Sequence, residues 1–255
     1  LPITATCNLI GVSDVEAQSL ADMILKIESN TGGTLKGFND AVQQFFKAVT
    51  DERRKSPVQD TIVDTVARAE IDGQPIAEVD MLHLLWVLFL GGIDSTVHAA
   101  TGGLLALFHH PKQLEALRGD PGLIKTAVEE ILRWTSTSHA NKRQATQDFE
   151  IHGTRIKSGD FVTVWSPSAN RDEQAYPDPF RFDVRRNITR PIATFGMGGK
   201  HTCIGQYFAR LELRVLLEEL FRRYPNVEQA APMVRSPAYT MQISPISSLP
   251  VRLKH

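Results

Sequence analysis

The run Phe195-Gly196-Met197-Gly198-Gly199-Lys200-His201-Thr202-Cys203-Ile204-Gly205 constrains this chain more than any other stretch. Glycines crowd a single cysteine from both sides, so the backbone must turn tightly there, approach another group closely, or do both. Directly afterwards the pattern becomes helical. Leu211, Val215, Leu216 and Leu220 recur at helical spacing, and Arg210, Glu212, Arg214, Glu218 and Glu219 fill most of the opposite face. A cysteine in a glycine loop at a helix N-terminus has its thiolate form favoured by backbone N–H groups and by the helix dipole. That is chemistry for a soft metal or for a nucleophile.

Composition narrows the choice of partners. With 28 basic against 29 acidic residues in a 255-residue chain, the formal charge of −1 gives no overall electrostatic attraction to nucleic acid or to an anionic membrane. The longest apolar run, residues 84–93, is about half of what spans a bilayer, so no membrane span is expected. No signal peptide is legible. Two widely separated cysteines make no disulfide framework, and a reducing, cytoplasmic setting is the expectation. Cys7 reads as a small buried hydrophobe. The chain starts Leu1-Pro2-Ile3-Thr4, without an initiator methionine, and reads there like the middle of a fold.

Residues 1–70 read as helical, with amphipathic stretches near 14–28, 38–54 and 58–70, with Asp14 and Asn39 as N-caps, and with breaks at 31–34 and at Ser56-Pro57. One long helix is expected over 78–108, apolar on every side and buried throughout at 84–90. Gly91-Gly92 and Gly102-Gly103 lie inside it, although each glycine costs about 1 kcal/mol relative to alanine. Either another helix approaches closely at those points, or the helix opens locally beside a ligand, with Asp94, Ser95 and Thr96 at its wall.

Helices over 111–118 and 123–134 follow, the second carrying Glu130 and Arg133 on one face. Most such pairs are solvated surface charges. From Ser138 the period shifts towards two, with a hairpin around His152-Gly153 and a strand over 160–165. Residues 169–183 are irregular and proline-rich, yet carry Tyr176, Phe180 and Phe182, which should pack down as an ordered coil. The tail, 226–253, has short β-like pieces divided by prolines. A single domain over 1–255, mainly α with small β-sheets, is the economical reading.

Six segments taken in order resemble the cytochrome P450 family, in its bacterial-type soluble haem-thiolate form, over essentially the whole chain. They are Gly91-Gly92-Ile93-Asp94-Ser95-Thr96, Glu130-Ile131-Leu132-Arg133, Arg143-Gln144-Ala145-Thr146, Ala169-Asn170-Arg171-Asp172, Asp178-Pro179-Phe180-Arg181-Phe182, and the Cys203 loop with Ala209 and Glu212 behind it. The resemblance implies the P450 fold and haem b, with Cys203 as the thiolate ligand of the iron. His201 and Arg143 would hold the haem propionates, and Phe195 and Gly205 would flank the sulfur. Glu130 and Arg133 become the buried structural pair that holds the irregular stretch behind the haem. Asp94 and Ser95 match the acid–alcohol pair that delivers protons during oxygen activation. Ser138, His139 and Gly91 fall where the family lines its substrate pocket, as does the turn near 241–243.

Three departures stand out. Phe195 lies one residue further from Cys203 than the family pattern places it, so an insertion is expected around Met197-Gly198. The alcohol is Ser95 where the family usually has threonine, which removes the methyl that limits its rotamers. About a third of the family fold is expected to be missing before Leu1.

The implied activity is insertion of one oxygen atom from O2 into an apolar small molecule, with electrons from NAD(P)H reaching the protein through ferredoxin and ferredoxin reductase. The alternative is a catalytically incompetent truncated haem-binding fragment or interaction module. Lys200, Arg210 and Arg214 could help to dock an acidic ferredoxin, or be ordinary solvated charge. A zinc or thiol enzyme on Cys203 and His201 lacks the CxxC or HExxH spacing that such sites use. His83, His98, His109, His110 and His152 read as helix or turn residues, and His139 as a possible substrate contact.

Overall fold

Helix α1, Pro2–Ile10, turns at Gly11 into helix α2, Asp14–Thr31, whose start is fixed by a capping box. The Ser13 N–H and hydroxyl donate to the Glu16 carboxylate at 2.8 and 2.6 Å, and the Glu16 N–H returns a bond to the Ser13 hydroxyl at 3.3 Å. Ser13 is therefore the cap, and Asp14, expected in that role, is the first helical residue. The structure is a computed structural model and describes residues 2–31, 35–196, 198–235 and 246–254. The expected break at 31–34 lies largely outside them. Two compact units, Leu1–Asp94 and Ser95–His255, divide the chain.

The first unit continues with α3, Leu35–Lys55, α4, Ile62–Ala67, and a hairpin of β1, Glu70–Ile71, with β2, Gln74–Pro75. It ends in the first part of α5, Glu78–His109. Asn39 is not a cap but an interior residue of α3, where its Oδ1 accepts a hydrogen bond from Trp86 Nε1 at 3.2 Å. The third amphipathic stretch is shorter than expected, because Thr61 caps α4 by accepting from the Asp64 N–H at 3.2 Å. Cys7, Leu20, Phe46, Met81, Leu85 and Phe89 form the fully buried centre of this unit. The Phe46 ring meets those of Phe45 and Phe89 edge-on, with centroids 5.3 and 5.8 Å away. Burial, and then the charge of Glu16, push the Cys7 thiol up to about 11, which makes it an inert hydrophobe as expected.

Only every fourth residue of the apolar middle of α5 is buried. Met81, Leu85 and Phe89 are sealed, while Leu84 and Val87 remain 43% and 56% exposed. An all-round apolar sequence has here become a one-sided contact, which corrects the expectation of complete burial. By length and composition α5 is a helix that could cross a membrane, and its apolar length exceeds the run legible in the sequence. Its buried residues nevertheless belong to the two protein cores, Met81, Leu85 and Phe89 to the first and Ala99, Ala106 and Leu107 to the second.

Three of the four glycines in α5 mark close approach. A Cβ on Gly92 would lie 2.5 Å from Thr6, on Gly102 2.9 Å from Thr135, and on Gly103 2.6 Å from Ile131. Gly91 faces open space, and α5 is helical without interruption through all four.

The second unit contains the rest of α5, then α6, Pro111–Gly119, and, after a 3-10 turn at Pro121–Leu123, α7, Ile124–Thr135. Strand β3, Ala140–Gln144, pairs antiparallel with β6, Phe161–Trp165, across the hairpin of β4, Phe149–Ile151, and β5, Thr154–Ile156. That hairpin turns at His152 and Gly153, with φ of 47° and 78°, as an I′ turn requires. A short helix α8, Ser166–Ala169, leads into the irregular stretch. Helix α9, Gln206–Arg223, precedes two small antiparallel pairs, β7, Glu228–Gln229, with β10, Val251–Arg252, and β8, Val234–Arg235, with β9, Ile246–Ser248. The mainly α architecture with small sheets is thus as expected.

Tyr176 and Phe182 pack down as expected, but Phe180 is 71% exposed. The inward face of α9 also differs from the one its leucine spacing suggests. Leu213 and Leu217 are buried and Phe221 packs beside them, whereas Leu211 and Val215 stay half-exposed. The reason is Arg210. It pairs with Glu129 of α7 at 2.6 and 3.1 Å, so the face bearing a cation can turn inward with its charge already satisfied.

Candidate functional site

The second unit is built round one buried ion pair. Neither Glu130 nor Arg133 has any solvent exposure. Arg133 donates through Nε and Nη2 to the two Glu130 oxygens at 2.7 and 2.8 Å, a bidentate fork. Its Nη1 continues to the carbonyls of Asn170 and Pro179 at 2.8 and 2.9 Å, and Nη2 reaches that of Arg181 at 3.3 Å. Glu130 in turn accepts from the Asp183 N–H at 2.8 Å and from Arg186 Nε at 3.0 Å. Two residues of one helix thereby tie down the irregular stretch from Asn170 to Arg186, which has little regular hydrogen bonding of its own.

Asn170 extends this network towards the cysteine. Its Nδ2 donates to the Ser136 and Thr194 hydroxyls at 2.8 and 2.9 Å, and its Oδ1 accepts from the Ala193 N–H at 2.7 Å. The Thr194 hydroxyl in turn donates to the Leu132 carbonyl at 2.8 Å. Every polar group in this set is satisfied, as a buried network requires. The end of α7, the irregular stretch and the segment leading into the cysteine loop are held as one piece. Sequence reasoning missed Ser136 and Thr194 entirely, and it assigned Asn170 no role despite noting its motif. Hydroxyls and amides placed next to strongly apolar positions were the available signal.

The loop itself follows a 3-10 turn at Ala193–Phe195. Gly196, Gly198 and Gly199 have φ of 83°, 111° and 85°, values that side-chain-bearing residues rarely adopt, so this path needs glycine. The Cys203 N–H closes the loop onto the Phe195 carbonyl at 2.9 Å, and the Thr202 N–H and hydroxyl both reach the Gly199 carbonyl, at 3.2 and 3.0 Å. Gly205 caps α9, and a Cβ there would sit 3.9 Å from the Cys203 sulfur. Phe195, Cys203 and Gly205 are thus brought together, with the thiol exposed to solvent. Met197 lies outside the described residues, and the expected insertion falls on it and on Gly198.

The remaining site residues are placed as follows. His201 and Arg143 are exposed cationic or ionisable side chains, and Arg143 sits opposite Val162 in the β3–β6 pair. Asp94 and Ser95 are adjacent, half-buried residues of α5. Gly91 is exposed on the same helix. The Ser138 hydroxyl accepts from Asn141 at 3.3 Å. Burial, then the charges of Arg171 and Arg235, hold His139 below the usual imidazole range. The turn at 241–243 lies outside the described residues. Of the three basic residues considered for docking a partner, Arg210 is engaged with Glu129, and its guanidinium covers the Phe195 ring at 4.6 Å, while Arg214 pairs with Glu218 at 3.6 Å. Lys200 is exposed.

The exposed Cys203 thiol suits a prosthetic group whose metal takes one soft ligand from the protein. A single thiol is presented at the surface of a glycine cradle, and a Cβ on either Gly198 or Gly199 would meet nothing within 4 Å, so the cradle is open on that side. Among the described residues no three His, Cys, Asp or Glu side chains converge as a metal site made of protein ligands alone would require.

The family model described as Cytochrome P450 matches residues 122–246, which include the buried pair, the irregular stretch and the cysteine loop. A methyl-branched lipid omega-hydroxylase of Mycobacterium tuberculosis is 35% identical over 237 residues, covering 89% of this chain and 54% of the relative. A steroid C26-monooxygenase of Mycolicibacterium smegmatis is 32% identical over 248 residues, covering 93% of this chain and 61% of the relative. Among solved structures, the bacillaene polyketide synthase cytochrome P450 PksS of Bacillus subtilis superimposes with a TM-score of 0.84 at 29% identity, over all of this chain and 66% of that one. The chain spans about half the length of the first of these relatives, at 54%.

Proposed function

Because this chain belongs to the cytochrome P450 family, we propose that it forms the thiolate-bearing part of a monooxygenase that inserts one oxygen atom from O2 into an apolar small molecule. Haem b, when bound, supplies the oxygen-activating chemistry, and the electrons come from NAD(P)H by way of ferredoxin and ferredoxin reductase. Cys203 would hold its iron as a thiolate, His201 and Arg143 would bind its carboxylates, and Phe195 and Gly205 would flank the sulfur. The observation that carries this reading is the exposed Cys203 thiol, fixed by its own N–H on the Phe195 carbonyl in a loop that only glycine can trace.

Asp94 and Ser95 take the acid–alcohol role in proton delivery, with the serine hydroxyl freer to rotate than a threonine would be. Ser138, His139 and Gly91 contact the substrate. An apolar substrate is supported by the names of two relatives, one a lipid hydroxylase and the other a steroid monooxygenase. A cytoplasmic location suits the two unpaired cysteines.

The test is the spectrum of the haem-reconstituted, reduced chain under carbon monoxide. A thiolate-type Soret shift is expected, and it should disappear in Cys203→Ala. No such shift, or its survival in Cys203→Ala, would sink the assignment.

A further inference from the structure

Glu129 and Glu130 are neighbours on α7, about 100° apart round the helix, and each carboxylate is taken by an arginine fork. The Glu130 fork serves the irregular stretch. Glu129 accepts from Nε and Nη2 of Arg210, in the second turn of α9, at 2.6 and 3.1 Å. The third nitrogen of Arg210, Nη1, donates to the backbone carbonyl and to Oε1 of Gln206, both at 3.2 Å. With its edge filled in this way, the guanidinium can make further contact only through its faces, and its Cζ lies over the Phe195 ring, 4.6 Å from the centroid. Arg210 and Glu129 are each only 27% exposed, so the cation meets the ring in a partly dry setting, where such contacts are strongest.

Holding α7 against α9 does not require this arrangement, because the two helices already share the second core through Ala127, Val128, Leu213 and Leu217. The cysteine loop is what lacks support. Gly196, Gly198 and Gly199 at positive φ leave much backbone freedom to be lost, and Lys200 and His201 are exposed. Closure of the loop rests on the bond from the Cys203 N–H to the Phe195 carbonyl at 2.9 Å. Cys203 is therefore only as fixed as Phe195, and the Phe195 ring rests on Arg210.

We propose that Arg210 is a positioning residue for Cys203: anchored on Glu129, it pins the Phe195 ring and, through the Phe195 carbonyl, fixes the cysteine backbone so that the thiol is presented in one orientation. What the thiol is presented to rests on the function proposed above, whereas the positioning involves side chains of the second unit alone.

Amide hydrogen exchange in the haem-free 255-residue chain, read by NMR at Cys203, Leu213 and Leu217, tests it. Arg210→Gln should speed exchange at Cys203 about fivefold, the effect of one cation–π contact, and leave the two leucines within about twofold. Phe195→Leu alone should match it at Cys203. In the Phe195→Leu background Arg210→Gln should change Cys203 exchange by less than about twofold, because the contact it removes is already gone. Glu129→Gln leaves Arg210 in place without its charged anchor and should give a smaller rise, again at Cys203 alone. Equal acceleration at all three amides would reduce the pair to a brace between α7 and α9 and overturn the proposal. An unchanged Cys203, or an undiminished effect in the Phe195→Leu background, would overturn it equally. Should Arg210→Gln fold poorly, Phe195→Leu and Glu129→Gln decide the matter, and the proposal falls if neither speeds Cys203 exchange selectively. A missing Soret shift with this coupling intact overturns the function proposed for the thiol and not its positioning, whereas a normal Soret shift with the coupling absent overturns the positioning alone.

Discussion

Arg133 and Glu130 face one another across 2.7 and 2.8 Å with no water reaching either side chain, and between them they hold five further hydrogen bonds to residues between Asn170 and Arg186. A pair of this kind contributes chiefly by what its loss would expose. Arg133→Ala should destabilise the chain by about 3–5 kcal/mol, because it leaves the Glu130 carboxylate buried with its main partner gone. Arg133→Lys should be nearly as damaging, since one ammonium cannot reproduce a fork that also serves three carbonyls. Urea unfolding followed by tryptophan fluorescence checks both, and a Lys variant close to the wild type would refute the geometric argument.

Asn170 is predicted to matter almost as much. Asn170→Asp keeps the size and shape but removes two donors from the Ser136 and Thr194 hydroxyls and places a charge where there is no solvent. A loss of about 3 kcal/mol is expected, from one buried charge and unsatisfied hydroxyls. Because the Ala193 N–H is anchored on the same side chain, hydrogen exchange at residues 193–195 should accelerate more than exchange in α6, which lies outside the network.

The two residues illustrate what the sequence could and could not reveal. Glu130 and Arg133 were legible because their spacing lies within one helix and because the segments around them keep a family order. Their burial was not legible, since the same spacing on a surface helix looks identical. Asn170, Ser136 and Thr194 come together from positions far apart in the chain, and nothing local in a polar side chain says which distant partner it will find. The long α5 was readable to within a residue from its apolar run and the His109-His110-Pro111 stop. The inward face of α9 is not legible for the opposite reason. Leucine spacing points to the wrong face, because the Arg210–Glu129 pair lets a charged residue sit on the packed side.

The glycines of α5 separate close packing from local opening in a direct way. Gly103→Ala should destabilise by about 1–3 kcal/mol, as overpacking against Ile131 at 2.6 Å would force side chain or backbone to shift. Gly91→Ala meets nothing within 4 Å and should stabilise the helix by about 1 kcal/mol. Thermal unfolding of the two variants in parallel should move the midpoint in opposite directions. A stabilised Gly103→Ala would contradict the close contact.

Asp94→Asn examines the proposed proton-delivery role of α5. Loss of a positioned general acid is worth about a hundredfold or more in rate. Turnover driven by O2 and NAD(P)H should fall by that order, while turnover driven by peroxide, which arrives with its protons, should fall far less. Equal losses in both assays would remove Asp94 from the role.

Glu212 gives the chain a pH dependence of unusual sign. Burial pushes its carboxyl up to about 7, and its Oε2 has no hydrogen-bond partner among the described residues. In the unfolded chain the same group titrates near the ordinary glutamate value, about 4.3. Between those two values the folded state holds more protons than the unfolded state, so stability must fall as pH rises through this window and level off above about 7. A carboxylate stabilised by an ion pair would show the reverse. Glu212→Gln keeps the shape and removes the ionisation, so it should be more stable than the wild type by about 1 kcal/mol at pH 8, a figure reduced for the solvent that still reaches the group. At pH 3 the two should be nearly equal, because the position is then neutral in the folded and unfolded chains alike. Urea midpoints at the two pH values measure the difference of differences directly, which cancels every other titrating group. An advantage for Glu212→Gln that is the same at both pH values would show that the amide gains by packing or hydrogen bonding and that ionisation of Glu212 costs the fold nothing.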